Sequence, residues 1–135
     1  LRPVNSKQSK AQQGFFKERK GGSLRGSTVS LGDWGLQTIE GGRLSDTQLD
    51  AARTCLRRVL KGMKGAGFHL RVFTDRPVTK KAAETRMGKG KGNVAYYAKW
   101  VREGTIVFEV KGVPKDVAHR ALTVAGSCLP LRTKI

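Results

Sequence analysis

Apolar and polar positions change rhythm along this chain, and each change marks an element. In "SDTQLDAARTCLRRVLKGMKG", Leu49, Ala52, Leu56, Val59, Leu60 and Met63 recur at helical spacing and form one apolar face. Ser45 is placed as N-cap with Gln48 three residues later to close a capping box, Leu44 and Leu49 flank it as a staple, and Gly62 and Gly65 end the helix. "GFHLRVFTD" has the period of a strand. Phe68, Leu70 and Val72 point one way; His69, Arg71 and Phe73 point the other, so that Arg71 reaches out of the sheet and Pro77 stops the run. His69 reads as a packed or partner-facing side chain rather than a catalyst.

"NVAYYAKWV" and "TIVFEV" read as a hairpin across "REG", with Gly104 supplying the turn. Val94, Tyr96, Ala98 and Trp100 share one face of the first strand. That aromatic row serves either as core or as a stacking platform. "GVPKDVAHRALTVAG" is a second helix with Pro114 suited to its first turn and Val117, Ala118, Ala121, Leu122 and Ala125 as its apolar side. "TVSLG" and "WGLQTIE" are short strands, and "CLPLRTKI" an edge strand. The pattern is α+β: one mixed or antiparallel sheet with two packed helices, a basic N-terminal arm over residues 1–27 and a single domain over 28–135.

Charge then narrows the partner. Lys and Arg number 27 against 10 Asp and Glu, a net +17, so a polyanion or salt must offset self-repulsion. The arm holds Lys17, Arg19, Lys20 and Arg25 with Glu18 as its one acid and shows no apolar period, so it orders on a partner or stays a solubilising tail. No run approaches the roughly 18 apolar residues that span a bilayer. Residues 76–92 form a long loop carrying Arg76, Lys80, Lys81, Arg86, Lys89 and Lys91 against Glu84. Its Gly88, Gly90 and Gly92 lack Cβ and let backbone N–H groups approach an anion. Arg53 and Arg57 on the first helix are further phosphate candidates.

Other chemistry fails on spacing. A phosphate-binding P-loop needs four residues between its glycines, then Lys and Ser or Thr, and "GKGKGN" supplies neither. Nor does any nucleophile–base or carboxylate pair have a usable spacing, so no catalytic residue and no cofactor are expected. With Cys55, Cys128, His69 and His119 the only soft ligands, no zinc site assembles. The two cysteines read as small buried thiols rather than a staple.

"RMGKGKG" followed by Tyr97 resembles the signature of the large-subunit ribosomal protein sixteen family. "WGLQT", "RVFTDRPVTKKAAETRMGKGKG" and "GVPKDVAHRALTVAGSCLPLRTK" are similar to further family segments, and the likeness covers residues 16–135. The resemblance implies a structural constituent of the large ribosomal subunit, bound to its rRNA beside the aminoacyl-tRNA site. There the glycine loop and arm reach toward the peptidyl transferase centre, help seat the incoming tRNA and complete assembly. Arg86, Met87, Gly88, Lys89, Gly90, Lys91 and Gly92 match the family loop, Arg71 the adjoining strand, and Lys20 with Gly21 the arm. With Arg43 in the segment before the first helix, these complete the expected RNA contacts. The implied partners are large-subunit rRNA, aminoacyl-site tRNA and neighbouring large-subunit proteins, with no membrane and no homo-oligomer.

Three departures stand out: "GGSLRG" where an early arginine is expected, Ala82 where a proline is common, and Cys128 in place of a usual lysine. With a start at Leu1 they favour a mitochondrial ribosome over a bacterial or plastid one, with a targeting segment removed. The rival reading is a free-standing RNA-binding regulator or chaperone with a ribosomal fold.

Overall fold

Ser45 decides where the first helix starts. In the computed structural model, which describes residues 1–4, 7, 9–12 and 24–135, its backbone is extended (φ −86°, ψ 159°). Its Oγ accepts the Gln48 N–H at 3.3 Å while Gln48 Oε1 accepts the Ser45 N–H at 2.9 Å. This is the expected capping box, an arrangement whose cap is typically worth ~1 kcal/mol. Helix α1 (Asp46–Leu60) buries Leu49, Ala52, Leu56 and Leu60. Gly62, at φ +91°, turns the chain away, so Met63 lies beyond the helix rather than on its apolar face.

The strands are β1 (Trp34–Thr38), β2 (Gly42–Ser45), β3 (Gly67–Leu70), β4 (Arg76–Lys80), β5 (Asn93–Val101), β6 (Ile106–Lys111) and β7 (Thr133–Lys134), with α2 (Lys115–Ser127) before the last. The class is α+β. The strands divide between two antiparallel sheets, β3-β6-β1-β7 and β2-β5-β4, where the sequence reading has one. α2 buries Ala118, Ala121, Leu122 and Ala125, and their small side chains let it join α1 and the first sheet in one core around Leu36, Leu56 and Phe108. β7 pairs only with β1 and is the expected edge strand.

Four further readings change. β5 and β6 do not pair as a hairpin: both edges of β5 are taken by β2 and β4, and both edges of β6 by β3 and β1. The turn between them is instead held by the end of β1. Thr38 N–H donates to Thr105 O at 2.9 Å, Gly104 N–H to Thr38 O at 2.7 Å, and Thr38 Oγ1 to Arg102 O at 2.9 Å. Gly104 (φ +78°) does supply the bend, but it passes the chain from one sheet to the other. "TVSLG" forms no strand, because the N–H groups of Ser30 and Leu31 are spent on the Glu109 carboxylate. Pro77 does not stop the "GFHLRVFTD" strand, since β3 already ends at Leu70. It lies within β4, at a sheet edge, where a residue without an N–H costs no ladder bond. The Gly/Lys loop therefore spans 81–92, and it joins β4 to β5. Finally, Cys55 and Cys128 are half-buried rather than buried, and they face each other.

Candidate nucleic-acid interface

The loop stands on a pair of strands: β5, which the sequence pattern already reads as a strand, and β4, which it reads as part of the loop. β4 and β5 run antiparallel from Arg76 opposite Ala98 to Lys80 opposite Asn93, with Ala95 bulged between the Val78–Tyr96 and Thr79–Val94 pairs. Beyond Lys80 the chain leaves the sheet, and residues 81–91 are all exposed. Thr85 N–H donates to Ala82 O at 3.1 Å and Lys81 Nζ to Gly88 O at 2.7 Å, which gives the loop a crossing point.

Past that crossing the backbone turns left-handed at three successive residues: Gly88 (φ +94°), Lys89 (φ +60°) and Gly90 (φ +78°). The glycines accept this freely, whereas Lys89 bears about 1 kcal/mol or more of strain for it. Gly92 is needed for another reason. A Cβ there would lie 2.7 Å from the Lys80 carbonyl oxygen and 2.9 Å from the Lys81 nitrogen, so only glycine lets the two legs close. The result is a hollow of about 240 Å³ lined by Lys80, Lys81, Lys89, Lys91 and the three glycines. Four ammonium groups around exposed backbone suit a phosphate chain, with Arg86 able to grip one phosphate through two nitrogens. Met87 beside them is 100% exposed, an apolar side chain that nothing in the described residues covers.

At the loop's base the outward face of the β2-β5-β4 sheet carries an aromatic platform. Arg43 on β2 lies opposite Trp100 on β5, and its guanidinium sits 5.3 Å from the Trp100 ring and 5.5 Å from that of Tyr96. Such contacts contribute ~0.5–1 kcal/mol each at an exposed site, and they hold the guanidinium over the two rings. The two tyrosines thus part company: Tyr96 belongs to this platform, while Tyr97 lies on the opposite face with Arg2 over its ring at 6.0 Å. The first residues of the arm latch onto the same base. Lys10 Nζ donates to Lys91 O at 3.2 Å, Lys91 Nζ to Ala11 O, and Arg76 Nη2 to Gln12 O at 2.5 Å.

Arg71 is placed differently from its reading as a free outward cation. Its Nη1 donates to Glu109 Oε1 at 2.6 Å and to Thr28 O at 2.5 Å. Glu109 is fully buried on β6 and also accepts from the N–H groups of Ser30 (3.2 Å) and Leu31 (2.6 Å). Burial pushes its carboxyl up, but the two backbone N–H groups and the Arg71 guanidinium outweigh that and hold it below the usual carboxylate value. Arg71, Arg25 and Arg102 line a separate, larger cleft where the sheets meet.

The structure therefore gathers Arg43, Lys80, Lys81 and Arg86–Gly92 onto one sheet and its loop. Arg53, ion-paired to Asp50 at 3.1 Å, and Arg57 stand on α1 instead. Lys17, Arg19 and Lys20 lie outside the described residues. The sequence reading missed Arg76 as an anchor for the arm and the Arg43–Trp100 stack. Both depend on which strands are neighbours, and only the charge and the aromatic ring are visible beforehand. Among the described residues no three His, Cys, Asp or Glu gather as a metal site, and no helix is long and apolar enough to cross a membrane.

Comparison with known proteins gives a consistent answer. Residues 3–135 match the family model described as ribosomal protein L16p/L10e. A protein of Sulfurihydrogenibium sp., named large ribosomal subunit protein uL16, is 46% identical over 135 residues, covering 100% of this chain and 94% of its own length. The protein of that name in Albidiferax ferrireducens is 44% identical over 133 residues, covering 98% and 93%.

Proposed function

The chain belongs to the ribosomal protein L16p/L10e family, a structural and not an enzymatic component of the large ribosomal subunit, and on that premise we propose where on the subunit it acts and with which residues. It binds large-subunit rRNA beside the aminoacyl-tRNA site. The loop 81–92 extends toward the peptidyl transferase centre, and there it steadies the tRNA and helps to complete subunit assembly.

The observation that carries this reading is the loop itself. Residues 81–91 are exposed throughout, five cations from Lys80 to Lys91 face one acid, and the backbone is turned left-handed at Gly88, Lys89 and Gly90. A few exposed hydrogen bonds are all that the described residues themselves give this segment, whereas a polyanion supplies both its counter-charge and its missing contacts. Arg43, held over the rings of Trp100 and Tyr96, offers a cationic and aromatic surface of the kind on which an unpaired base stacks. Lys17, Arg19, Lys20 and Arg25 of the arm, with Arg53, Arg57 and Arg71, contribute further rRNA contacts in this proposal; for Arg71 these use the nitrogens not bonded to Glu109.

We assign the protein to a mitochondrial ribosome, on its departures from the family pattern at Ala82 and Cys128; the relatives named above are bacterial. One experiment tests role and compartment together. Tagged protein is sedimented from lysate of its own cells at moderate and high salt, and RNA in its peak is sequenced. Co-migration with the large subunit at both salts, with mitochondrial rRNA recovered, is expected. Bacterial or plastid rRNA in the same heavy peak moves the compartment but keeps the role. A light, salt-labile peak with mixed RNAs identifies a free RNA binder and ends the proposal.

A further inference from the structure

Cys55 and Cys128 are the only cysteines of the chain, 73 positions apart, yet their Sγ atoms lie 3.5 Å from each other. Cys55 sits within α1, and Cys128 is the residue that caps the C-terminus of α2, its N–H donating to Ala125 O while the next N–H, of Leu129, donates to Gly126 O. Both are free thiols and both are half-buried, so neither residue is sealed inside the core. We propose that this pair is a thiol–disulfide modification site, oxidised by a low-molecular-weight disulfide to a staple that joins α1 to the end of α2.

The geometry favours an intramolecular bond. A disulfide needs its sulfurs about 2.05 Å apart, so closure requires roughly 1.5 Å of approach. Cys128, at a helix end and followed by the turn through Leu129 and Pro130, is the partner free to supply it. The step balances without any further oxidant. One cysteine thiolate attacks the reagent disulfide and forms a mixed disulfide, releasing one reagent thiol. The second cysteine, deprotonated, attacks the protein sulfur of that mixed disulfide and releases the other reagent thiol. Two protein thiols become one disulfide, and two electrons with two protons end on the reagent. Burial and the neighbouring Cys55 sulfur hold the Cys128 thiol above its usual value, so oxidation is slow at neutral pH and accelerates as pH rises.

The inference rests on the two helices alone and is independent of RNA binding. The purified full chain is incubated with oxidised glutathione at pH 8, then analysed by thiol titration and intact mass. Both thiols are expected to disappear together, leaving a monomer lighter by two hydrogens, restored by reductant, with Cys55 and Cys128 peptides linked after proteolysis. Its melting temperature should rise by more than about 5 °C. Cys128→Ala should trap Cys55 as the glutathione adduct. Three results overturn the proposal: thiols that stay titratable in the native chain and vanish only in urea, a lasting glutathione adduct on the unmutated chain, or disulfide-linked dimers.

Discussion

β5 and β6 are consecutive strands, joined by the short turn through Gly104, and each lies between two neighbours in its sheet. They are nonetheless opposites. β6 is buried at Ile106, Val107, Phe108, Glu109 and Val110, and even its one carboxylate is answered within the chain, by Arg71 and two backbone N–H groups. Along β5 only Ala98 and Val101 are buried, and its outward side is an aromatic and cationic surface ending in a loop that has almost no internal contacts. One sheet completes itself. The other, in the function proposed above, is completed by RNA, and the same +17 chain accommodates both because its few acids are placed where the fold needs them rather than where the positive charge is densest.

This contrast can be tested from either side. The largest effect is expected at Glu109. Removing one partner of a buried, hydrogen-bonded pair leaves the other charge stranded, so Glu109→Ala should cost about 3–5 kcal/mol in urea unfolding of the purified chain. A cost under about 1 kcal/mol would mean the Arg71 contact is incidental. The same group sets an acid limb. Its folded pKa lies below the ordinary value of 4.5, so its contribution is fully present above that value and is lost as pH falls through the lower folded pKa. Wild-type stability should therefore drop below pH 4.5, and Glu109→Gln should flatten that part of the profile.

On the other side, Arg86→Ala with Lys89→Ala and Lys91→Ala should leave the free energy of urea unfolding within about 0.5 kcal/mol of wild type, since no buried contact is removed. Binding to large-subunit rRNA should weaken, and the slope of log affinity against log salt should become shallower by roughly 2–3, one phosphate contact per cation. An unchanged slope would place the phosphate contacts elsewhere, on the arm or on α1. The smallest effect is expected at Lys89, where the two requirements conflict. Lys89→Gly relieves left-handed strain and should stabilise the free chain by up to ~1 kcal/mol, while it weakens RNA binding by one cation's share. Destabilisation would show that the loop holds Lys89 for an internal reason.

Elements set by local rules were legible beforehand. The capping box at Ser45, the apolar faces of both helices, the bend at Gly104 and the exposed Gly/Lys loop follow from neighbours within about one turn or from composition. The β5–β6 pairing was misjudged for the same reason that it looked simple. A short glycine turn between two apolar runs satisfies the local hairpin rule, and nothing local records that Thr38, more than 60 positions away, bonds to the turn's backbone. Likewise "TVSLG" has strand composition, but Glu109 claims its N–H groups from 78 and 79 positions away.

The sequence by itself determined the class, the helices and the density of positive charge around the glycine loop, because periodicity, caps and charge are properties of short segments. Tertiary structure alone decided the division into two sheets, the stacking of Arg43 on Trp100, the inward turn of Arg71 and the meeting of Cys55 with Cys128. Each of these joins residues separated by tens of positions, and such a contact is fixed only when every strand edge and every buried polar group has found its partner together.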